Sequence, residues 1–155
     1  MRYVRLAAFV TAVAIASLPS AAFQRSAKPP QDRKPQSDIA AKSAFGTIPA
    51  SSPELKKSLD SHDLAGAKKL IGKDGAFHGM VSKVFAPKSN ALIILNFDPE
   101  FKKALVAVVK AEDFAKFPKL DALKDKHVLV RGRFIDYNGT PELALTNANQ
   151  VKLVK

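Results

Sequence analysis

Apolar and polar positions alternate along most of the chain after Gly75, which is the period of a half-buried β-strand. Turn residues at 87–90 and the Asn-Gly pair at 138–139 interrupt this pattern. The predicted strands are, in chain order, 77–85, 91–97, 102–110, 127–137 and 142–146. A short helix is predicted at 112–117, between the third and fourth strands, because Pro118 ends it.

Before Gly75 the apolar period is about 3.6 residues, which is typical of amphipathic helices. Ser52 is a suitable N-cap, and Pro53 suits the first helical position that follows it. Asp63 can cap a second helix, and Gly72 can close it. The sequence therefore predicts two short helices ahead of the strands.

The N-terminus has the three-part pattern of a secretory signal peptide. Arg2 and Arg5 precede an uncharged apolar run at 6–18, which Pro19 ends, and small residues occupy 20–22. A run of 13 residues is shorter than the roughly 20 that a membrane-spanning helix needs. We therefore expect a signal peptide over 1–22, export to the periplasm or the medium, and no stable membrane insertion after cleavage.

Residues 23–52 contain four prolines and few apolar residues, without a sustained period. Such a segment buries too little surface to offset its ordering entropy. It is predicted to be a disordered, basic linker. The folded unit is then expected at 53–155, with a helical preface and a barrel from about 74 to 155.

The formal net charge is +11, and residues 53–155 contain 18 basic and 12 acidic residues. A positive field favours polyanions such as nucleic acid, anionic headgroups or acidic glycans. The same charge can also serve solubility alone. The chain has no cysteine, which excludes disulfides and cysteine-ligated zinc.

Three segments resemble those of known binding modules. VLVRGRFIDYNGTPELAL at 128–145 resembles the closing hairpin of OB-fold nucleic-acid-binding modules, of the tRNA-anticodon-binding-like type found beside extracellular nucleases. LNFDPEFKKALVAVVKAEDFAKFP at 95–118 is similar to the second strand, third strand and linking helix of these modules. FHGMVSKVF at 77–85 resembles their opening strand. The resemblance covers about residues 70–155.

The resemblance and the element order imply a mainly β protein: a five-stranded OB-fold barrel with a helix between strands 3 and 4, after short helices and a disordered N-terminal linker. A two-layer α+β sheet with the same element order is the structural alternative. OB barrels bind ligands on strands two and three and in neighbouring loops. The residues expected to contact a ligand are Lys83, Lys88, Asn90, Lys102, Lys103, Arg131, Arg133, Tyr137 and Asn138.

Four phenylalanines, at 77, 97, 101 and 134, are expected in the core because large apolar side chains are normally buried. Tyr137 is left as the aromatic available for stacking, or else as a cross-strand packing residue. His62, His78 and His127 are scattered, without metal-ligand spacing. No nucleophile motif, acid–base pair or phosphate loop is evident, so no catalysis, metal or cofactor is expected.

Two functions remain open from the sequence. The first is an exported, non-catalytic module that binds single-stranded nucleic acid or another polyanion. The second is an exported module for a small ligand, glycan or protein, with no role in nucleic-acid binding. An exported nuclease or an envelope protein is a candidate partner.

Overall fold

The computed structural model describes residues 33–155, and within this range nine strands form one curled sheet. The strands are β1 (Gly46–Ile48), β2 (Leu59–Asp60), β3 (Asp74–Met80), β4 (Lys83–Phe85), β5 (Leu92–Asn96), β6 (Val106–Lys110), β7 (His127–Tyr137), β8 (Thr140–Leu145) and β9 (Val151–Val154). The α-helices are α1 (Gln36–Ile39), α2 (Pro53–Lys57) and α3 (Leu64–Lys68). Three 3-10 segments span Ala111–Lys116, Leu120–Leu123 and Ala148–Gln150.

The sheet runs in the order β1-β9-β7-β8-β6-β5-β4, and β3 lies on β7. Its long pairings are antiparallel except for β6 and β8, which are parallel. Only Val81 and Ser82 separate β3 from β4. One bent segment therefore pairs with β7 through its first half and with β5 through its second half, which makes the sheet curl.

The core lies inside the curl and is built from alternate positions of the strands. Phe77 and Phe97 pack edge to face, with ring centroids 4.8 Å apart, and Phe134 is also buried. The connection from β6 to β7 closes one side with four buried apolar side chains, those of Phe114, Phe117, Leu120 and Leu123. The core prediction is confirmed at Phe77, Phe97 and Phe134 and wrong at Phe101, which is 63% exposed.

The predicted β class is confirmed, although the sheet has nine described strands where five were expected. β7 has the bounds predicted for the fourth strand. The predicted first strand is divided, because Val81 exchanges backbone hydrogen bonds with the 125–126 turn. The predicted third strand starts only at Val106, since a turn closed by Lys103 N donating to Glu100 O occupies its first residues.

Part of the segment predicted as a linker, residues 33–52, contains α1 and β1. β1 pairs in parallel with β9. Gln36 is buried, and its Nε2 donates to the carbonyls of Phe117 (3.2 Å) and Pro118 (3.0 Å), while its Oε1 accepts from Leu120 N (3.1 Å). Hydrogen bonds and the buried side chains of Phe45 and Ile48 hold this segment, although its apolar residues are too sparse to show a sustained period.

The predicted signal peptide and the rest of the linker, residues 23–32, lie outside the described residues. The two predicted helix starts are confirmed. Ser52 Oγ accepts from Glu54 N at 3.3 Å, and Asp63 Oδ1 accepts from Gly66 N at 2.8 Å. Within 33–155 no helix has the length and apolar character needed to cross a bilayer.

Candidate ligand-binding groove

The outer face of the sheet carries an open cavity of about 530 Å³, here called the groove. The strands β4, β5, β6 and β8 form its floor, with Lys83, Phe85, Ile94, Asn96, Val106 and Glu142. Its walls are the β5–β6 loop and the β7–β8 hairpin end, with Pro99, Phe101, Lys102, Tyr137, Asn138 and Thr140.

Strand register fixes a row of four floor residues. Lys83 on β4 is paired with Asn96 on β5, and Asn96 is paired with Val106 on β6. The parallel pairing of β6 with β8 then sets Val106 beside Glu142. Residues opposite one another on neighbouring strands share a face, so these side chains stand side by side across the groove floor.

Three aromatic side chains of the groove are exposed: Phe85 (43%), Phe101 (63%) and Tyr137 (60%). A cluster of exposed large apolar groups points to an interaction site, whereas a single one does not. Two lysines accompany them. Lys83 Nζ lies 5.6 Å from the centroid of the Phe85 ring, and Lys102 Nζ lies 5.7 Å from that of Phe101. The groove therefore presents flat apolar faces beside positive charges.

Two polar groups of the floor have no partner within residues 33–155. Burial raises the pKa of the Glu142 carboxyl above its usual value, and no cation of the described chain forms an ion pair with it. Asn96 is only 9% exposed, and its side-chain amide makes no hydrogen bond there. Both groups are thus free to bond a ligand.

Four of the nine predicted contact residues line the groove, namely Lys83, Lys102, Tyr137 and Asn138. Arg133 is exposed on the same face of the sheet, beside Ala144, two residues from Glu142 along β8. It lies outside the lining.

The other four predicted residues also lie outside the groove lining. Arg131 Nη1 is 3.6 Å from Glu54 Oε1, and Lys103 Nζ donates to Glu100 Oε1 at 2.7 Å. Asn90 Nδ2 donates to Arg33 O at 2.8 Å, and Lys88 is exposed in the same turn. Four further side chains line the groove without having been predicted as contact residues: Phe85, Phe101, Asn96 and Glu142.

A second cavity, of about 670 Å³, lies beside α1 and the start of the first 3-10 segment. Arg33, Lys34 and Lys110 contribute positive charge to it. Its aromatic lining is Phe114, which is almost fully buried and belongs to the core. This cavity is larger than the groove, but it offers no exposed ring to a ligand.

A histidine links two carboxylates beside the groove wall. His62 Nδ1 lies 3.1 Å from Asp60 Oδ1, and its Nε2 lies 3.2 Å from Asp98 Oδ2. Hydrogen bonding to Asp98, then to Asp60, raises the pKa of His62. In the described part of the chain no three His, Asp or Glu side chains are placed to hold a metal ion.

No protein-family model matches this chain, and no curated protein matches it significantly. Functional inference therefore depends on the groove itself: its exposed rings, its two lysines and its unpartnered polar groups.

Proposed function

We propose that this protein is a non-catalytic OB-fold module that binds single-stranded nucleic acid in the groove. The observation that carries the proposal is the cluster of three exposed aromatic side chains with two lysines on one face of the sheet. Single-strand binders combine cations for the phosphates with rings on which successive bases stack. The groove has both components.

The strand connections support the finer fold assignment. If β3 and β4 count as one bent strand, a five-stranded unit remains, made of this strand with β5, β6, β7 and β8. Two 3-10 segments lie between its third and fourth strands. OB folds bind oligonucleotides on the face of strands two and three, which correspond here to β5 and β6. These two strands contribute Asn96 and Val106 to the groove floor.

The side chains have separate roles in this proposal. Phe101 and Tyr137 provide faces for bases, because each has most of its surface free. Lys83 and Lys102 neutralise phosphates, and the release of condensed counterions then makes affinity depend on salt. Phe85 extends the apolar surface of the groove beneath the bound nucleic acid.

Export follows from the predicted signal peptide and forms part of the proposal. Outside the cytoplasm the module would meet extracellular DNA, RNA fragments or envelope polymers. An exported nuclease or an envelope protein would be a partner at that location. Edman sequencing of the protein recovered from culture tests cleavage after Ala22, and a mature protein that starts at Met1 would contradict it.

The binding test titrates the protein into a fluorescent oligothymidylate of about 10 nucleotides, within the range of OB-fold site sizes. We expect binding at low salt that weakens steeply as salt is added. Phe101→Ala should weaken it about tenfold, within the range measured for loss of one stacked base. The Lys83→Ala/Lys102→Ala double variant should also weaken binding and flatten the salt dependence.

The matched control is the Lys119→Ala/Lys124→Ala double variant, which removes the same charge from two exposed lysines outside the groove lining. It should bind nearly as well as the natural chain. Absence of binding at low salt would overturn the proposal. An equal loss in both double variants would show a diffuse charge effect with no role for the groove.

An oligosaccharide is the second candidate ligand, favoured by Glu142, whose carboxylate on the floor repels a polyanion and can accept hydrogen bonds from hydroxyls. Sugar binding at exposed rings does not release counterions. Salt-independent binding of a neutral glycan, together with no oligonucleotide binding, would select this alternative.

A further inference from the structure

The Glu142 carboxyl is partly desolvated on the groove floor and has no cation of the described chain beside it. Burial raises the pKa of its carboxyl, with no compensating cation among the causes of the shift. Glu142 is half-buried, and this partial loss of solvent disfavours the ionised form of its carboxyl. Within residues 33–155 the Glu142 side chain forms no ion pair, and its oxygens are open to solvent. The group is therefore available to a ligand that brings donors.

The neighbours of Glu142 restrict those donors. Val106 lies between Glu142 and Asn96 in the row across β8, β6 and β5, which sets their backbones roughly 10 Å apart at ordinary strand spacing. Asn96 is 9% exposed as a residue, and its side-chain amide makes no hydrogen bond within residues 33–155 but is open to solvent. A planar ligand above Val106 can therefore meet a carboxylate on one side and an amide on the other, over an apolar floor.

Among nucleobases, the pattern of donors differs in a way that an ionised carboxylate detects. A carboxylate is an acceptor only, and it bonds best to two parallel donors. Guanine presents adjacent N1–H and N2–H donors on its Watson–Crick edge. Adenine and cytosine each place an acceptor beside their amino group, and thymine has a single N–H between two carbonyls. The acceptors of these three bases would face the carboxylate.

We infer that Glu142, assisted by Asn96, makes the groove selective for guanine in single-stranded nucleic acid. Glu142 accepts the N1–H and N2–H of the base, and the Asn96 amide bonds a polar atom elsewhere on its edge. The phosphates lie toward Lys83 and Lys102, at the other end of the row and on the loop. This inference rests on the proposed function and deepens it by naming the base.

The experiment compares oligothymidylates that carry one central guanine, adenine, cytosine, thymine or hypoxanthine. A single guanine avoids four-stranded structures, and hypoxanthine lacks only the N2 donor. We expect the natural chain to bind the guanine oligonucleotide about fivefold or more tightly than the thymine one, the lower range for a bidentate base contact. Hypoxanthine should fall between them.

Variants locate the effect. Glu142→Gln should lose the guanine preference while thermal unfolding shows that the fold is retained. Asn96→Ala should reduce the preference. Asp121→Asn is the control, because it also removes one negative charge, from an exposed position outside the groove lining. It should keep the preference.

The outcomes separate this inference from the proposed function. Equal binding of all five oligonucleotides, or an unchanged guanine preference in Glu142→Gln, would overturn the selectivity and leave single-strand binding in place. No binding of any oligonucleotide would overturn the proposed function and the selectivity with it.

Discussion

His62 joins two separate parts of the chain, since its Nε2 lies 3.2 Å from Asp98 Oδ2 while its Nδ1 lies 3.1 Å from Asp60 Oδ1. Asp98 lies in the loop that carries Phe101 and Lys102, and its Oδ1 accepts from Glu100 N at 2.7 Å. The bridge therefore anchors the groove wall to β2, and its strength depends on the charge of an imidazole.

The bridge predicts a pH-dependent contribution to stability. Hydrogen bonds to Asp98 and Asp60 raise the pKa of His62 above its ordinary value, so protonation is favoured in the folded state. The stabilisation is complete below the ordinary histidine pKa and is lost as pH rises through the raised one. His62→Gln should therefore lower the free energy of unfolding at about pH 5.5 and change it little at about pH 8.5. Urea denaturation at both pH values measures this.

His127 provides a comparison of opposite sign. Burial, and then the neighbouring His78, lowers the pKa of His127. Its neutral form is favoured in the folded state, so stability falls as the pH drops through the unfolded and then the folded pKa. His127→Gln should relieve that loss at low pH. The same sign for both variants would contradict the bridge. The effect of His62→Gln on the free energy of unfolding should be small, because 54% of the His62 side chain is exposed.

Gln36 should be an anchor for the segment that precedes β1. Replacement by alanine leaves the Pro118 carbonyl and the Leu120 N–H without their side-chain partners. We expect Gln36→Ala to lower the free energy of unfolding by about 1–3 kcal/mol, the cost of unsatisfied buried polar groups. Ser37→Ala, at the exposed neighbouring position, should cost much less. Equal effects in denaturant titrations would show that α1 contributes little.

Gly132 should not tolerate a side chain. A Cβ there would lie 2.6 Å from Leu143 Cδ2 and 2.8 Å from Ala144 O on β8. Because backbone cannot move aside without breaking the β7–β8 pairing, Gly132→Ala should cost about 1–3 kcal/mol, as overpacked sites do. Gly46→Ala is the control, since its Cβ would approach only Lys152 Cγ, at 3.9 Å. Thermal unfolding of the two variants distinguishes them.

Glu142→Gln should stabilise the protein at neutral pH. The folded-state pKa of Glu142 is raised, so ionisation costs more in the folded chain than in the unfolded one. The natural chain then loses stability as pH rises from the unfolded pKa through the raised one, and the glutamine variant does not. The difference between the two should vanish at low pH. A variant less stable than the natural chain at neutral pH would contradict the unpartnered state of the carboxylate.

The sequence determined the elements whose signals are local. The alternation at 127–137, the Asn-Gly turn after it and the helix caps at Ser52 and Asp63 all recur in the structure. These features depend on side-chain period and on hydrogen bonds between near neighbours, so a short window contains the whole cause. The burial of the phenylalanines at 77, 97 and 134 could be predicted from the sequence as well, because large apolar side chains are normally buried.

The tertiary structure decided which side chains line the groove. Phe77 and Phe85 have the same parity in the sequence, but the break at 81–82 reverses the faces, so Phe77 is buried and Phe85 is exposed. An extra residue in a strand turns every later side chain to the other face, and the residue pattern alone does not reveal it.

The row from Lys83 to Glu142 likewise depends on the register of β6 with β8, two strands that lie far apart in the chain. The buried position of Gln36 could not be predicted from the sequence either, because the carbonyls it bonds lie about 80 residues away in the chain. The sequence by itself determined the strand at 127–137, the Asn-Gly turn, the two helix caps and three buried phenylalanines. Closure of the sheet decided which side chains meet on its outer face, because that depends on long-range pairing and not on local period.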